Sequence, residues 1–215
     1  NQAVGQFYSV NVDEKENYEV YGGLQDNGVW AGPNNYEHNV EWLQDGKYPY
    51  EFLSGGDGMQ VQIDTRTNNL VYTGYQFGNY TKIDRISGER KYITPQADKK
   101  EEPYRFNWQA PILLSSHNQD VVYFGGQYVF RSMDQGKNWE KISTDLTNGK
   151  VEGNVPFGTI TSIHESPIKF GLLAAGTDEG NVWISQDAGH HWEKHNQGLP
   201  AHRKQHRATR GPLLT

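Results

Sequence analysis

Val20-Tyr21-Gly22-Gly23, Val71-Tyr72-Thr73-Gly74, Val122-Tyr123-Phe124-Gly125 and Leu173-Ala174-Ala175-Gly176 begin 51 residues apart along the chain. Ten residues upstream of these, Val10, Val61, Ile112 and Ile163 keep the same spacing. Val12, Ile63 and Leu114 keep it too, until Glu165 breaks the series. A constant period near 50 residues marks an array in which each unit is one supersecondary module. The third unit shows what the module is. Residues 111–115 form a short apolar run, as a doubly covered inner strand requires. A polar turn at 116–120 separates it from strands at 121–125 and 128–132. The turn Asp134-Gln135-Gly136 leads to a fourth strand at 139–143. Four antiparallel strands in about 50 residues is the layout of a propeller blade.

The other units follow. The fourth predicts strands at 161–166, 172–176, 182–185 and 192–195, and the second at 59–64, 70–75, 80–85 and 90–93. The first predicts 7–13, 18–22 and 28–30, then an irregular stretch at 31–49 with a weakly defined outer strand. No segment combines a 3.6-residue apolar period with helix caps, so the chain is expected to be nearly all β. The fold class is therefore all-β: a β-propeller of four-stranded antiparallel blades of about 51 residues, spanning 5–53, 54–105, 106–156 and 157–200. A sheet left uncovered at either end of such an array is a liability. Four blades can close on themselves. Residues 201–215, with His202-Arg203-Lys204-Gln205-His206-Arg207, break the pattern and are expected to be a basic tail, disordered or non-native.

Composition agrees with short strands and tight turns: 24 glycines, 13% aromatic residues and only 34% hydrophobic residues. The formal net charge of -6 leaves the fold without a basic footprint for nucleic acid. The chain has no cysteine, which excludes disulfides, thiolate zinc sites and cysteine nucleophiles. No apolar run reaches the roughly 18 residues of a membrane helix, so no membrane insertion is expected. Of the eight histidines, His190, His191 and His195 cluster, but on an outer hairpin and without a His-Glu-x-x-His pattern. No metal and no cofactor are expected, and neither a phosphate loop nor a nucleophile elbow is present.

Ser132-Met133-Asp134-Gln135-Gly136-Lys137-Asn138-Trp139 reads S-x-D-x-G-x-x-W, and Ser185-Gln186-Asp187-Ala188-Gly189-His190-His191-Trp192 reads the same. Asp accepts hydrogen bonds from turn amides, Gly supplies positive φ, and Trp is expected to pack back over the hairpin. This pattern resembles the Asp-box (BNR) repeat of sialidases, sortilin-type receptors and xyloglucan-hydrolysing propellers. Closest in character are the sortilin-type (Vps10-like) propellers and related bacterial exported proteins labelled glycosyl hydrolases. The resemblance also rests on the stretch from Tyr21 to Trp30, on Gly55-Gly56-Asp57-Gly58, on Phe106-Asn107-Trp108-Gln109-Ala110-Pro111, on Ile142 to Thr147 and on Gly176 to Gly180. It covers about residues 5 to 200, and implies that the four blades, rather than closing on themselves, are part of a larger or incomplete propeller, completed by further blades of a longer chain or by a partner chain. It implies that Ser132, Asp134, Gly136 and Trp139, with Ser185, Asp187, Gly189 and Trp192, are structural. It also implies an exported protein (secreted, periplasmic or on the cell surface) whose signal peptide lies outside this segment.

Ligands of propellers meet the loops around the central axis. Two acids are candidates for that face: Asp26 in Gln25-Asp26-Asn27-Gly28, and Asp57 just before an inner strand. Asp26 loosely resembles a catalytic turn aspartate of xyloglucan-hydrolysing relatives. Glycoside hydrolysis ordinarily needs two carboxylates about 5 to 9.5 Å apart. No set of three arginines recurs at inner-strand positions to hold a substrate carboxylate, which sets sialidase aside. Trp30, Trp42, Tyr75 and Trp108, with Tyr48, Tyr50 and Tyr80, could form a sugar-stacking platform or pack between blades. The departure from the repeat at 33–53 is a candidate binding loop. Gln25, Gln76, Gln127 and Asp178 recur two residues after the repeated glycine and are expected to bond to turn backbone. The expected function is non-catalytic binding of a protein or glycan ligand. The alternatives are a glycoside hydrolase acting on a β-glucan such as xyloglucan, and an assembly or scaffold factor.

Overall fold

The computed structural model describes residues 5–37, 39–151 and 153–198. The basic segment 201–215 lies outside them. Four separate four-stranded antiparallel sheets account for almost all regular structure. Blade 1 contains β1 (Phe7–Val12), β2 (Glu19–Leu24), β3 (Gly28–Pro33) and β4 (Glu51–Ser54). Blade 2 contains β5 (Val61–Ile63), β6 (Leu70–Tyr75), β7 (Asn79–Asp84) and β8 (Arg90–Tyr92). Blade 3 contains β9 (Ile112–Leu114), β10 (Val122–Gly125), β11 (Val129–Ser132) and β12 (Glu140–Lys141). Blade 4 contains β13 (Ile160–Glu165), β14 (Leu173–Thr177), β15 (Val182–Ser185) and β16 (Glu193–Lys194). Strand order within each sheet is the order of the chain. The sheets are arranged as the blades of a β-propeller, with β1, β5, β9 and β13 in contact one after another on the inside.

The insertion in blade 1 corrects the sequence reading twice. It contains one helix, α1 (Val40–Asp45), and the outer strand β4 lies after the 31–49 stretch rather than within it. The helix has both caps. The Asn39 side chain accepts from the Glu41 amide, and Gly46 takes a left-handed φ of 64°. Six residues are less than two turns, too few for an apolar period to show in the sequence.

The alternation of each strand separates a front face, toward the next blade, from a back face, toward the previous one. Tyr21, Val29, Ala31 and Leu53 at the front of blade 1 pack on Val61, Ile63, Val71 and Ile83 at the back of blade 2. Tyr72, Tyr80 and Ile93 meet Ile112, Leu114, Val122 and Phe124 in the same way. Val121, Tyr123 and Val129 meet Ile160, Leu173 and Ala175. Tyr80, a candidate platform residue, is fully buried here, with its hydroxyl donating to the Ala110 carbonyl at 3.2 Å.

The two S-x-D-x-G-x-x-W turns have one geometry. Ser132 Oγ accepts from Gly136 N at 2.8 Å, and Ser185 Oγ from Gly189 N at 2.8 Å. Asp134 Oδ1 accepts from Asn138 N, and Asp187 Oδ1 from His191 N, both at 2.9 Å. Bonds from Asn138 hold the Asp134 carboxyl down at about 2. The tryptophans, however, do not serve their own hairpins alone. Trp139 Nε1 donates to the Ile93 carbonyl at 2.6 Å and Trp192 Nε1 to the Ile142 carbonyl at 2.8 Å, each in the preceding blade. Each turn therefore aims a tryptophan across a blade junction. Trp139→Phe is expected to lower stability by about 1 kcal/mol through the lost hydrogen bond and the unpaired Ile93 carbonyl, read by urea denaturation. No measurable loss would show that Trp139 acts by packing alone.

Candidate functional site at the hairpin and crossover face

The hairpins between second and third strands lie at one end of the propeller, together with the crossovers that lead into each next blade. Gly58 N donates to Leu24 O at 3.0 Å, Phe77 N to Trp108 O at 3.2 Å, and Ile160 N to Gly126 O at 2.7 Å. Each bond joins the hairpin of one blade to the crossover into the next. Three of the recurring polar residues reinforce this. Gln76 Oε1 accepts from Asp57 N at 3.2 Å, Gln127 Oε1 from Arg105 N at 2.7 Å, and Asp178 Oδ1 from Thr159 N at 3.2 Å. They bond to the crossover backbone entering their own blade, not to their own turn.

The structure brings Asp26 and Asp57 together, though not as two facing carboxylates. Asp57 is buried, and its Oδ1 accepts the Asp26 backbone amide at 2.7 Å. Asp57 thus ties the blade 1 hairpin to the crossover into blade 2. Asp26 is exposed and sits at φ 59°, a left-handed position that aspartate tolerates. Among the described residues, none of the hydrogen bonds or ion pairs uses the Asp26 carboxylate.

Of the candidate aromatics, Tyr75 and Trp108 belong to this face. Trp30 lies on the back of blade 1, edge-on to Phe52 at 5.1 Å, and Trp42 on α1 stacks edge-on with Tyr36 at 6.5 Å and Tyr48 at 5.7 Å. Trp42 and Tyr48 of the insertion at 33–53 thus pack on one another, and Phe52 is the aromatic of that stretch that reaches the hairpin residue Gly28. Phe77 is the residue that the sequence reading missed. It occupies the hairpin position 51 residues beyond Asp26 and takes φ 62°. A bulky side chain there is an outlier that the surrounding structure must hold in place. The Phe77 amide bonds to Trp108 O, and its ring stands edge-on to the Trp108 indole at 5.1 Å. The repeat register could have located it, because Asp26 and Phe77 are equivalent turn positions.

Beside this pair lies a hollow of about 620 Å³ lined by Phe77, Tyr104, Arg105, Phe106, Lys150 and Asn154, among others. Arg105 is committed to the protein: its guanidinium donates to Asp145 at 2.8 Å and to the Gly158 carbonyl at 3.2 Å. Burial opposes the charge on Asp145, but bonds from Thr147 and Arg105 outweigh it and hold the carboxyl below its ordinary value. Among the described residues no three His, Asp or Glu side chains gather as a metal-ligand set.

No family model matches the sequence, and no curated protein matches it. Solved structures do match the fold. The GH74 xyloglucanase of Xanthomonas campestris aligns with a TM-score of 0.57 at 16% identity, over 92% of this chain and 31% of that one. The GH74 enzyme of Niastella koreensis aligns with a TM-score of 0.53 at 14% identity, over 79% of this chain and 27% of that one. The chain thus spans about a third of the length of these enzymes, and at such identity the likeness is one of fold.

Proposed function

We propose that the chain binds a neutral glycan, without cleaving it, across the aromatic pair Phe77 and Trp108 and the hollow beside them. The observation that carries this reading is Phe77. A phenylalanine in a left-handed turn gives up on the order of 1 kcal/mol that Asn or Gly at the same position would keep. In exchange it presents a half-exposed ring beside an indole on the face where propeller loops converge. Sugar rings stack on such surfaces, and the polar rim of the hollow offers hydrogen bonds to hydroxyls. Asp57 argues against hydrolysis, because one of its carboxylate oxygens is taken by the Asp26 amide. A pair of free carboxylates flanking one bond is not available from these two residues. The reading keeps the Asp-box, sortilin-like character suggested by the sequence and an exported setting, where polysaccharide is met.

Titration calorimetry with soluble xyloglucan and other β-glucans tests the proposal. Trp108→Ala is expected to weaken binding at least tenfold, about 1.4 kcal/mol, with folding intact by circular dichroism. Undiminished binding by that variant would overturn it. One observation favours a hydrolase as the second reading: the unengaged, exposed Asp26 carboxylate in a fold shared with xyloglucanases. Release of reducing ends that disappears in Asp26→Asn would establish that reading in place of binding.

A further inference from the structure

The repeat allows the same position to be compared in four blades. Val10, Val61, Ile112 and Ile163 are equivalent; Val61 and Ile112 are each 2% exposed and Ile163 is partly buried, whereas Val10 is 58% exposed. Val12, Ile63, Leu114 and Glu165 are equivalent; the last three are 5%, 8% and 4% exposed, whereas Val12 is 46% exposed. The difference has one source. Ile63, Leu114 and Glu165 lie on back faces covered by the front of the preceding blade, and the back of blade 1 is not covered. That face is largely apolar, with Asn34 at its edge. Phe7, Val20, Leu24, Trp30, Tyr48 and Tyr50 line a hollow of about 440 Å³ on it. Its floor is kept low by two glycines. A Cβ on Gly22 would meet the Phe7 ring, and one on Gly32 the Tyr50 ring, at 2.4 Å and 2.0 Å.

We infer that this face is a docking surface for one further four-stranded blade of the same repeat, presenting a front face with tyrosine at the position of Tyr21, Tyr72 and Tyr123. Three internal junctions show what covers a back face in this molecule: the front of another blade, with an aromatic on its second strand. The hollow calls for a bulky side chain. The front of blade 4 carries Ala174 at that position, with Val182 and Ile184 beside it, and offers no such residue. A second copy docked through its blade 4 would therefore leave the hollow unfilled. The inference is independent of the glycan reading, which concerns the hairpin face.

The chain has no cysteine, so a single introduced thiol reports on this surface alone. In the full chain, Val12→Cys is expected to react with a thiol reagent near the rate of a free cysteine at every protein concentration, and Ile63→Cys at least a hundredfold more slowly. Placing a copy of residues 106–156 ahead of Gly5 by a short linker supplies one blade with Tyr123 on its front. Labelling of Val12→Cys should then slow at least tenfold, and recover when the copy carries Tyr123→Asp and Val129→Asp. A copy of residues 54–105 serves as a second donor blade. Unslowed labelling with both copies would overturn the inference. So would protection of Val12→Cys in the chain alone accompanied by a dimer in sedimentation, which would make a second copy the occupant.

Discussion

Gly23→Ala is expected to lower the free energy of unfolding by about 3 kcal/mol, the upper end of what overpacking in a rigid site produces. Gly23 is the first of the four glycines in the 51-residue register. A Cβ there would lie 2.2 Å from the Met59 carbonyl oxygen and 2.4 Å from that of Gly58. Both atoms are backbone of the crossover into blade 2, and the crossover is itself bonded to the blade 1 hairpin through Gly58 N and Asp57. Neither side can give way without opening the junction. Gly23 is not among the residues with positive φ, so the demand is for close approach rather than for a special conformation. Gly176 is the internal control. A Cβ there would meet only the Ser162 hydroxyl, at 2.6 Å, a group that can rotate away. Gly176→Ala should cost less than about 1 kcal/mol, and the reduced backbone freedom of the unfolded chain offsets part of that. Equal midpoints for the two variants in urea would refute the close-contact account of Gly23.

Arg85→Ala should lower stability by about 2 kcal/mol, because it strands several partners in a partly buried junction. The Arg85 guanidinium bonds to Glu19 at 2.7 Å, to Glu51 at 2.7 Å and to the Tyr21 hydroxyl at 2.6 Å, and so joins blade 2 to two strands of blade 1. The bond from Arg85, opposed by burial and assisted by Lys15, lowers the Glu19 carboxyl from 4.5 to about 2. A carboxyl held lower in the folded than in the unfolded protein contributes stability that is complete above its unfolded value and is lost as pH falls toward its folded value. The window for Glu19 is therefore about pH 4.5 down to about pH 2. Such a shift converts to about 3 kcal/mol, reduced to about 2 kcal/mol for the solvent that reaches the rim of the pair. Glu19→Gln should thus be less stable than the parent near neutral pH, with the gap narrowing steadily from pH 5 to 2. A gap that stays constant across that range would show that Glu19 acts through shape rather than charge.

The blade junctions are fastened at both ends. The junctions are fastened at the outer and lower ends by Trp139, Trp192, Arg66 and Arg85. Arg66, for instance, bridges Asp64 at 2.6 Å and Asp120 of the next blade at 2.8 Å. The hairpin face is fastened as well, through Gly58 N to Leu24 O, Phe77 N to Trp108 O and the Asp26 amide to Asp57, so that at Phe77 and Asp26 the backbone is tied while the side chain stays exposed.

What the amino-acid sequence determined by itself is the module: its period, its strands with ends displaced by up to three residues and with β4 of blade 1 not located, and the two S-x-D-x-G-x-x-W turns. These are legible because alternation, turn chemistry and a repeated register are local properties, each written within a few residues of one another. The blade 1 helix was not legible, since six capped residues carry no period. The tertiary structure alone decided which residues meet. It turned Asp57 from a possible acid into a tie for the Asp26 amide, sent both turn tryptophans across blade junctions, and placed Phe77 against Trp108 from a segment some 30 residues away. It also left Val10 and Val12 in solvent where their equivalents are covered. Identical positions in a repeat have identical sequence logic, but burial belongs to the neighbour that stacking supplies, and that neighbour is not encoded in the unit it covers.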